Sequence, residues 1–168
     1  MKGKIIAITG TPGTGKSSIA KDLAKKLNYK LIDLNDIIIK QKLYSGYDRK
    51  MRSYVVDINK IKNLKFENNV IIEGHLSHFL KVDKVIVLRC KPEELEKRLK
   101  RRKYSKEKIK QNVESELIGI ITWEARKYNK VVYDIDTAKK TKRQVLNTII
   151  KYLKTRRSNK IIDWCLYG

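Results

Sequence analysis

Eight consecutive residues, Gly10-Thr11-Pro12-Gly13-Thr14-Gly15-Lys16-Ser17, read G-x-x-x-x-G-K-S. That spacing builds a loop whose backbone N–H groups turn inward around phosphates. Gly10, Gly13 and Gly15 stand where a side chain would block the turn or the approach of the anion. Lys16 supplies a point charge for β and γ oxygens, and Ser17 a hydroxyl for Mg²⁺. Ser18 offers a second hydroxyl near the α-phosphate. The helix opening at Ser17 aims its positive end at the same anion. The chemistry expected here is the binding of ATP with Mg²⁺.

An acid on the Mg²⁺ side is expected at the end of a neighbouring strand. Glu73, ending Val70-Ile71-Ile72-Glu73-Gly74, is the first choice, with Asp33 and Asp134 behind it. His75 and His78, the only histidines, follow directly. Their His-x-x-His spacing lacks a third ligand nearby, which argues against a metal pair. Arg98 and Arg102 are four apart and share a helix face. Phosphoryl transfer spreads negative charge over the transferred group, and two such guanidiniums would oppose it. Arg101 faces elsewhere. Asn129-Lys130-Val131-Val132 lacks the acid of a guanine reader, which excludes a GTPase.

These residues need a scaffold, and the pattern around them alternates strand and helix. Lys4–Thr9 is a continuous apolar run of the kind found in a strand covered on both faces. Ile19, Ala20, Leu23, Ala24 and Leu27 then recur at helical spacing. Further strands are expected at 29–33, 70–73, 84–89 and 131–135. Asp36 is expected to cap a helix running to Leu43, ended by a turn at Ser45-Gly46. A short helix follows at 58–64. Pro92 with Glu93 and Glu94 opens a helix to about Lys103. Ser105 opens a longer one carrying Ile109, Val113, Leu117, Ile120 and Ile121. Thr141-x-x-Gln144 is a capping box for a last helix through Tyr152. The fold class predicted is α/β, a doubly wound five-stranded parallel sheet with helices on both faces, in one domain over residues 1–168.

Composition narrows the setting. The 168 residues carry 40 Lys and Arg against 18 acids, a formal charge of +22. That excess attracts polyanions, pre-ribosomal RNA among them, unless it reflects a Lys- and Ile-rich proteome. The densest run, Lys97 to Lys110, holds nine basic residues and one acid. A second lies in Thr155-Arg156-Arg157-Ser158-Asn159-Lys160. No apolar run reaches the roughly 20 residues of a membrane span, and the N-terminus enters a strand pattern without a signal segment. The expected location is the cytoplasm. Cys90 and Cys165 read as reduced thiols. Without a Cys-x-x-Cys pair there is no zinc-clamped lid.

Beyond the phosphate loop the chain resembles the adenylate kinase isoenzyme 6 family, which has archaeal and eukaryotic members. The resemblance runs through Asp36, Leu43-Tyr44-Ser45-Gly46-Tyr47-Asp48, Glu73-Gly74-His75, Val87-Leu88-Arg89, Arg98-Leu99-x-x-Arg102-x-Tyr104-Ser105, Asn112-Val113-Glu114-Ser115-Glu116 and Ile162-Asp163-Trp164. It implies a compact nucleoside monophosphate (NMP) kinase fold, with an NMP-binding segment at about 33–56 and a short lid at about 101–111. Implied with it are ATP and Mg²⁺, phosphoryl transfer to AMP or other NMPs, and ATP hydrolysis. A part in late maturation of the small ribosomal subunit, through a small-subunit ribosomal protein, is implied as well. Lys16, Glu73, His75 and Arg102 would be catalytic, with His75 positioning water or phosphate and Arg102 the lid arginine. Arg98 would share in binding the nucleotide, Ser17 and Glu73 would hold the metal, and Asp36 would meet the NMP. The chain departs from the family at Ile37-Ile38-Ile39-Lys40, where an arginine is common, and at Glu73, where Asp is usual.

Overall fold

The computed structural model describes residues 4–167. The phosphate-loop unit comes first: strand β1 (Ile5–Gly10), the loop, and helix α1 (Lys16–Leu27). Then come β2 (Lys30–Asp33), α2 (Leu34–Lys40), β3 (Tyr44–Asp48), β4 (Ser53–Val56), α3 (Ile58–Lys62) and β5 (Val70–Glu73). The second half holds β6 (Lys84–Arg89), α4 (Pro92–Arg101), α5 (Lys106–Ile118), α6 (Ile120–Tyr128), β7 (Val132–Asp136) and α7 (Lys142–Leu153).

Five strands form one parallel sheet in the order β2-β5-β1-β6-β7. β1 is central because its side chains are apolar on both faces: Ile6 and Ile8 pack with α1 and α7, while Ala7 packs with Val85, Val87 and Ala125. A third cluster, Leu34, Ile38, Ile61, Ile72 and Leu80, secures the β2 end of the sheet. The register sets Ile8 beside Glu73 and Gly10 beside Leu88, so the loop, the acid and the start of α4 leave the sheet at one edge. The capping box at Thr141 and Gln144 forms as expected.

Three expectations are corrected. Asp33, not Asp36, caps α2, accepting from the Asn35 backbone N–H at 2.8 Å. Ser45-Gly46 is no turn but a bulged stretch of β3, which pairs antiparallel with β4. Tyr44 and Tyr54 pack across this hairpin, ring centres 4.3 Å apart. The long helix expected from Ser105 breaks at Gly119, which adopts φ 69° and sits against the Arg89 guanidinium. A helix continued straight through would carry Leu117 and Ile120 on the core face. The break leaves both exposed.

No helix among the described residues is long and apolar enough to cross a membrane. Both cysteines are free thiols, and burial pushes the Cys90 thiol up to about 11.

Candidate phosphate-binding cleft

The floor of the site is the loop between β1 and α1. Gly10 turns at φ 143°, where a Cβ would collide with the Leu88 carbonyl. Gly13, at φ 93°, lies on Leu95 and Leu99 of α4, 3.1 and 3.0 Å from where its Cβ would be. Both positions demand glycine. Gly15 holds the N-cap position of α1 in the left-handed region. Thr11 and Thr14 are buried, and the Thr11 carbonyl accepts from the Thr14 N–H and hydroxyl at 3.3 and 2.8 Å. The Lys16 ammonium donates to the Gly10 and Thr11 carbonyls at 2.9 and 3.2 Å. Desolvation lowers its pKa to about 8, opposed by Glu73 and assisted by Arg102.

A cleft of about 800 Å³ opens above this floor. Ser17 donates its hydroxyl to the Glu73 carboxylate at 2.7 Å, which joins the first turn of α1 to the end of β5. Hydroxyl and carboxylate oxygens are hard donors and fit a magnesium ion completed by phosphate and water oxygens. Glu73 is therefore the acid the loop faces. Asp134 is removed from that role, because it lies buried in an ion pair with Arg89 at 2.9 Å. Asp33 lines the cleft beside its work as a cap.

The two histidines separate. His75 lines the cleft, and its pKa falls to about 4 through burial first and then the charge of Lys16, so it is neutral at pH 7. His78 is fully buried between the Thr9 hydroxyl and Glu124, at 2.9 Å from each. Burial lowers it to about 4 also. It too belongs to the cleft lining.

The arginines separate as well. Arg102, at the C-terminal end of α4, lines the cleft. Arg98 does not. Its guanidinium bonds to the Thr137 carbonyl at 3.1 Å and to Glu94, so the structure gives it a bracing position behind the loop. Asp36 is also absent from the cleft wall: it is exposed on α2, while Asp33 and Asn35 line the wall. The helix register decides this, since the cap at Asp33 points one side of the first turn inward.

Several cleft residues lie in the motifs and segments marked out above without having been named for the site. Ser18 was expected there and is there, but Met51 and Ser53 from the hairpin, Tyr104, and Lys108, Asn112 and Ser115 along α5 line it too. The α5 set recurs at three- and four-residue spacing, a signal hidden because the same helix carries so many other charges. The basic run 155–160 is partly structural: the Asn159 side chain bonds both the N–H and the carbonyl of Asp134 at 2.9 and 2.7 Å, as a neighbouring strand would. Arg156 and Arg157 remain exposed.

A parallel sheet with this loop at its centre and an acid one strand away defines the P-loop kinase class. Residues 6–119 match the family described as AAA domain. A protein named "Putative adenylate kinase" from Methanocaldococcus jannaschii is 38% identical over 165 residues, spanning 95% of this chain and 92% of that one. Its counterpart in Pyrococcus abyssi is 42% identical over 168 residues, 95% and 91% of the two chains. Among solved structures, a shikimate kinase from Acinetobacter baumannii superposes with a TM-score of 0.61 at 16% identity, covering 90% and 93%. A deoxyadenosine kinase from M. mycoides with bound dATP gives 0.55 at 18%, covering 90% and 100%. These two share the fold alone. The chain belongs to the adenylate-kinase-like family of these archaeal relatives.

Proposed function

We propose that the protein is an NMP kinase, moving the terminal phosphoryl group of ATP to AMP or another NMP. The observation that carries this is a cleft with two unlike walls. The phosphate loop forms one. The other is built by Asp33, Asn35, Met51 and Ser53 from the segment between β2 and β4, leaving room for a second substrate. Arg102 and Lys108 reach into the space between them.

An NMP phosphate oxygen attacks the γ-phosphorus and ADP departs, so the acceptor needs no base to deprotonate it. The protein's task is to align the two phosphates and offset charge. Lys16 faces the β and γ oxygens, and Arg102 meets charge that grows as the group transfers. Neutral His75 can donate or accept one hydrogen bond beside them. Ser17 and Glu73 would hold Mg²⁺, which would supply positive charge to offset that of the phosphates. Steady-state turnover of ATP, with and without each NMP, tests the reading. ADP formation that requires an NMP, with little phosphate released to water, is expected. Phosphate release at a rate indifferent to every NMP would overturn the kinase and leave an ATPase.

The charge of +22 favours a second reading, an ATP-driven assembly factor for the small ribosomal subunit in which hydrolysis releases a ribosomal protein or pre-ribosomal RNA. Arg101, Lys103 and Lys106 stand exposed beside the cleft, where a polyanion would feel the nucleotide state. Binding to small-subunit components should then differ between an ATP analogue and ADP. Equal affinities at every salt concentration would remove this reading.

A further inference from the structure

Directly beneath an anion-binding loop the structure buries a carboxylate. Glu116, on α5, is 2% exposed, and its Oε2 accepts from the Thr11 hydroxyl at 2.7 Å. Its Oε1 accepts from Arg89 Nε at 2.8 Å, the Cys90 N–H at 3.1 Å and the Trp164 indole N–H at 2.9 Å. Four donors hold the carboxylate, three on Oε1 and the Thr11 hydroxyl on Oε2. A bare negative charge here would repel phosphate and draw Lys16 downward. Arg89 offsets it, itself 1% exposed and paired on its other side with Asp134. Arg89 also donates to the Glu116 backbone carbonyl, the Thr122 hydroxyl and the Ile162 carbonyl, tying α5, α6 and the C-terminal segment into one cluster.

Such a cluster is weak evidence for stability, because apolar packing of equal volume would serve as well. What apolar packing cannot do is fix the Thr11 hydroxyl. The carbonyl of that same residue holds Lys16 and both donors of Thr14. A backbone turn at Thr11 that broke the bond of its hydroxyl to Glu116 would swing this carbonyl away from all three.

Resting on the nucleotide kinase reading, we propose that Glu116 is the positioning residue of the phosphate loop. It acts through the Thr11 hydroxyl to preset the loop, and Trp164 from the C-terminal segment completes its hydrogen-bond shell. The site reached is the ATP site, and the device reaches it from behind, through residues 48 to 105 positions apart in sequence.

The test compares Thr11→Val, which deletes the hydroxyl at nearly constant volume, with Thr11→Ser, which keeps it. The affinity of each for a non-hydrolysable ATP analogue is measured by calorimetry, with kcat and the melting temperature alongside. Thr11→Val should bind the analogue about tenfold more weakly, the loss of one hydrogen bond to a charged group, and Thr11→Ser should stay within about twofold. In a Glu116→Gln background, Thr11→Val should add less than about twofold more, since the partner is already altered. Trp164→Phe should weaken binding by only about twofold to threefold. Should Glu116→Gln fail to fold, the Val and Ser pair still decides. Thr11→Val binding the analogue as wild type does, or melting lower with affinity and kcat unchanged, would reduce the cluster to a structural one. Fully multiplicative effects of Thr11→Val and Glu116→Gln would overturn the route through Glu116. Analogue affinity needs no acceptor, so an absence of transfer to NMPs would defeat the proposed reaction without touching this result.

Discussion

The two walls of the cleft are built by opposite means. The phosphate loop is pinned from below: Thr11 and Thr14 are buried, Gly13 lies on Leu95 and Leu99, and Glu116 ties the loop to Arg89. The β3–β4 hairpin on the other side shows Tyr47, Tyr54 and Val55 about half exposed and makes its own small sheet. An ion pair between two exposed side chains, Lys50 to Glu107 at 3.3 Å, joins it to the first turn of α5. One wall is set before nucleotide arrives. The other, with few buried contacts, belongs to the parts of a protein that open at low cost. Under the proposed transfer to an NMP, a fixed donor wall and a closing acceptor wall would divide the work of keeping water from the γ-phosphate.

Substitutions should expose this division. Lys16→Ala should abolish transfer, since the lost contact is aimed at charge developing in the transition state and is worth about 3 kcal/mol or more. Turnover within threefold of wild type would end the assignment of the pinned wall. Arg102→Ala, between the walls, should lower kcat by roughly tenfold or more while changing the affinity for ATP much less. A rise in KM alone would make it a ground-state contact of the loop side.

A pH titration separates the walls in another way. The Lys16 pKa is lowered to about 8 in the folded protein against 10.5 ordinarily. Between those values the folded chain binds fewer protons than the unfolded chain, so the cost of burying charged Lys16, full below about 8, is relieved as pH rises through that window. ATP needs the charged form, so ATP affinity should fall as pH climbs above about 8, and Lys16→Arg should flatten the decline. Equal affinity at pH 7 and 9 would place the lysine in a wetter setting than the structure gives. The smallest effect belongs to the hairpin link. Glu107→Ala should change stability by no more than about 0.5 kcal/mol, as exposed pairs do, readable as a nearly unmoved denaturation midpoint. A larger loss would mean that the second wall is held as firmly as the first.

The phosphate-loop side was the more legible in the sequence. The phosphate loop is eight contiguous residues whose types answer one chemical need, and β1, β5 and β6 announce themselves as unbroken apolar runs because a central parallel strand is covered on both faces. Glu73 followed from its place at a strand end, and the register beside Ile8 put it opposite Ser17. The acceptor side was harder. Ser45-Gly46 has turn chemistry, yet pairing with β4 drew it into a bulged strand, and α2 begins about one turn before Asp36, capped by Asp33. Gly119 ended a helix in the left-handed region, at φ 69°, beside the guanidinium of Arg89 thirty positions earlier. Arg98 shared a face with Arg102 on paper, but the Thr137 carbonyl claimed it. Arg89, Glu116 and Trp164 stood in segments that carried the family resemblance, yet nothing local joined them to Thr11 as one cluster, because each reads as an ordinary loop, helix, strand or tail residue. Buried charges must find partners wherever the chain supplies them, and those partners here lie tens of residues apart, so only the folded topology could choose them.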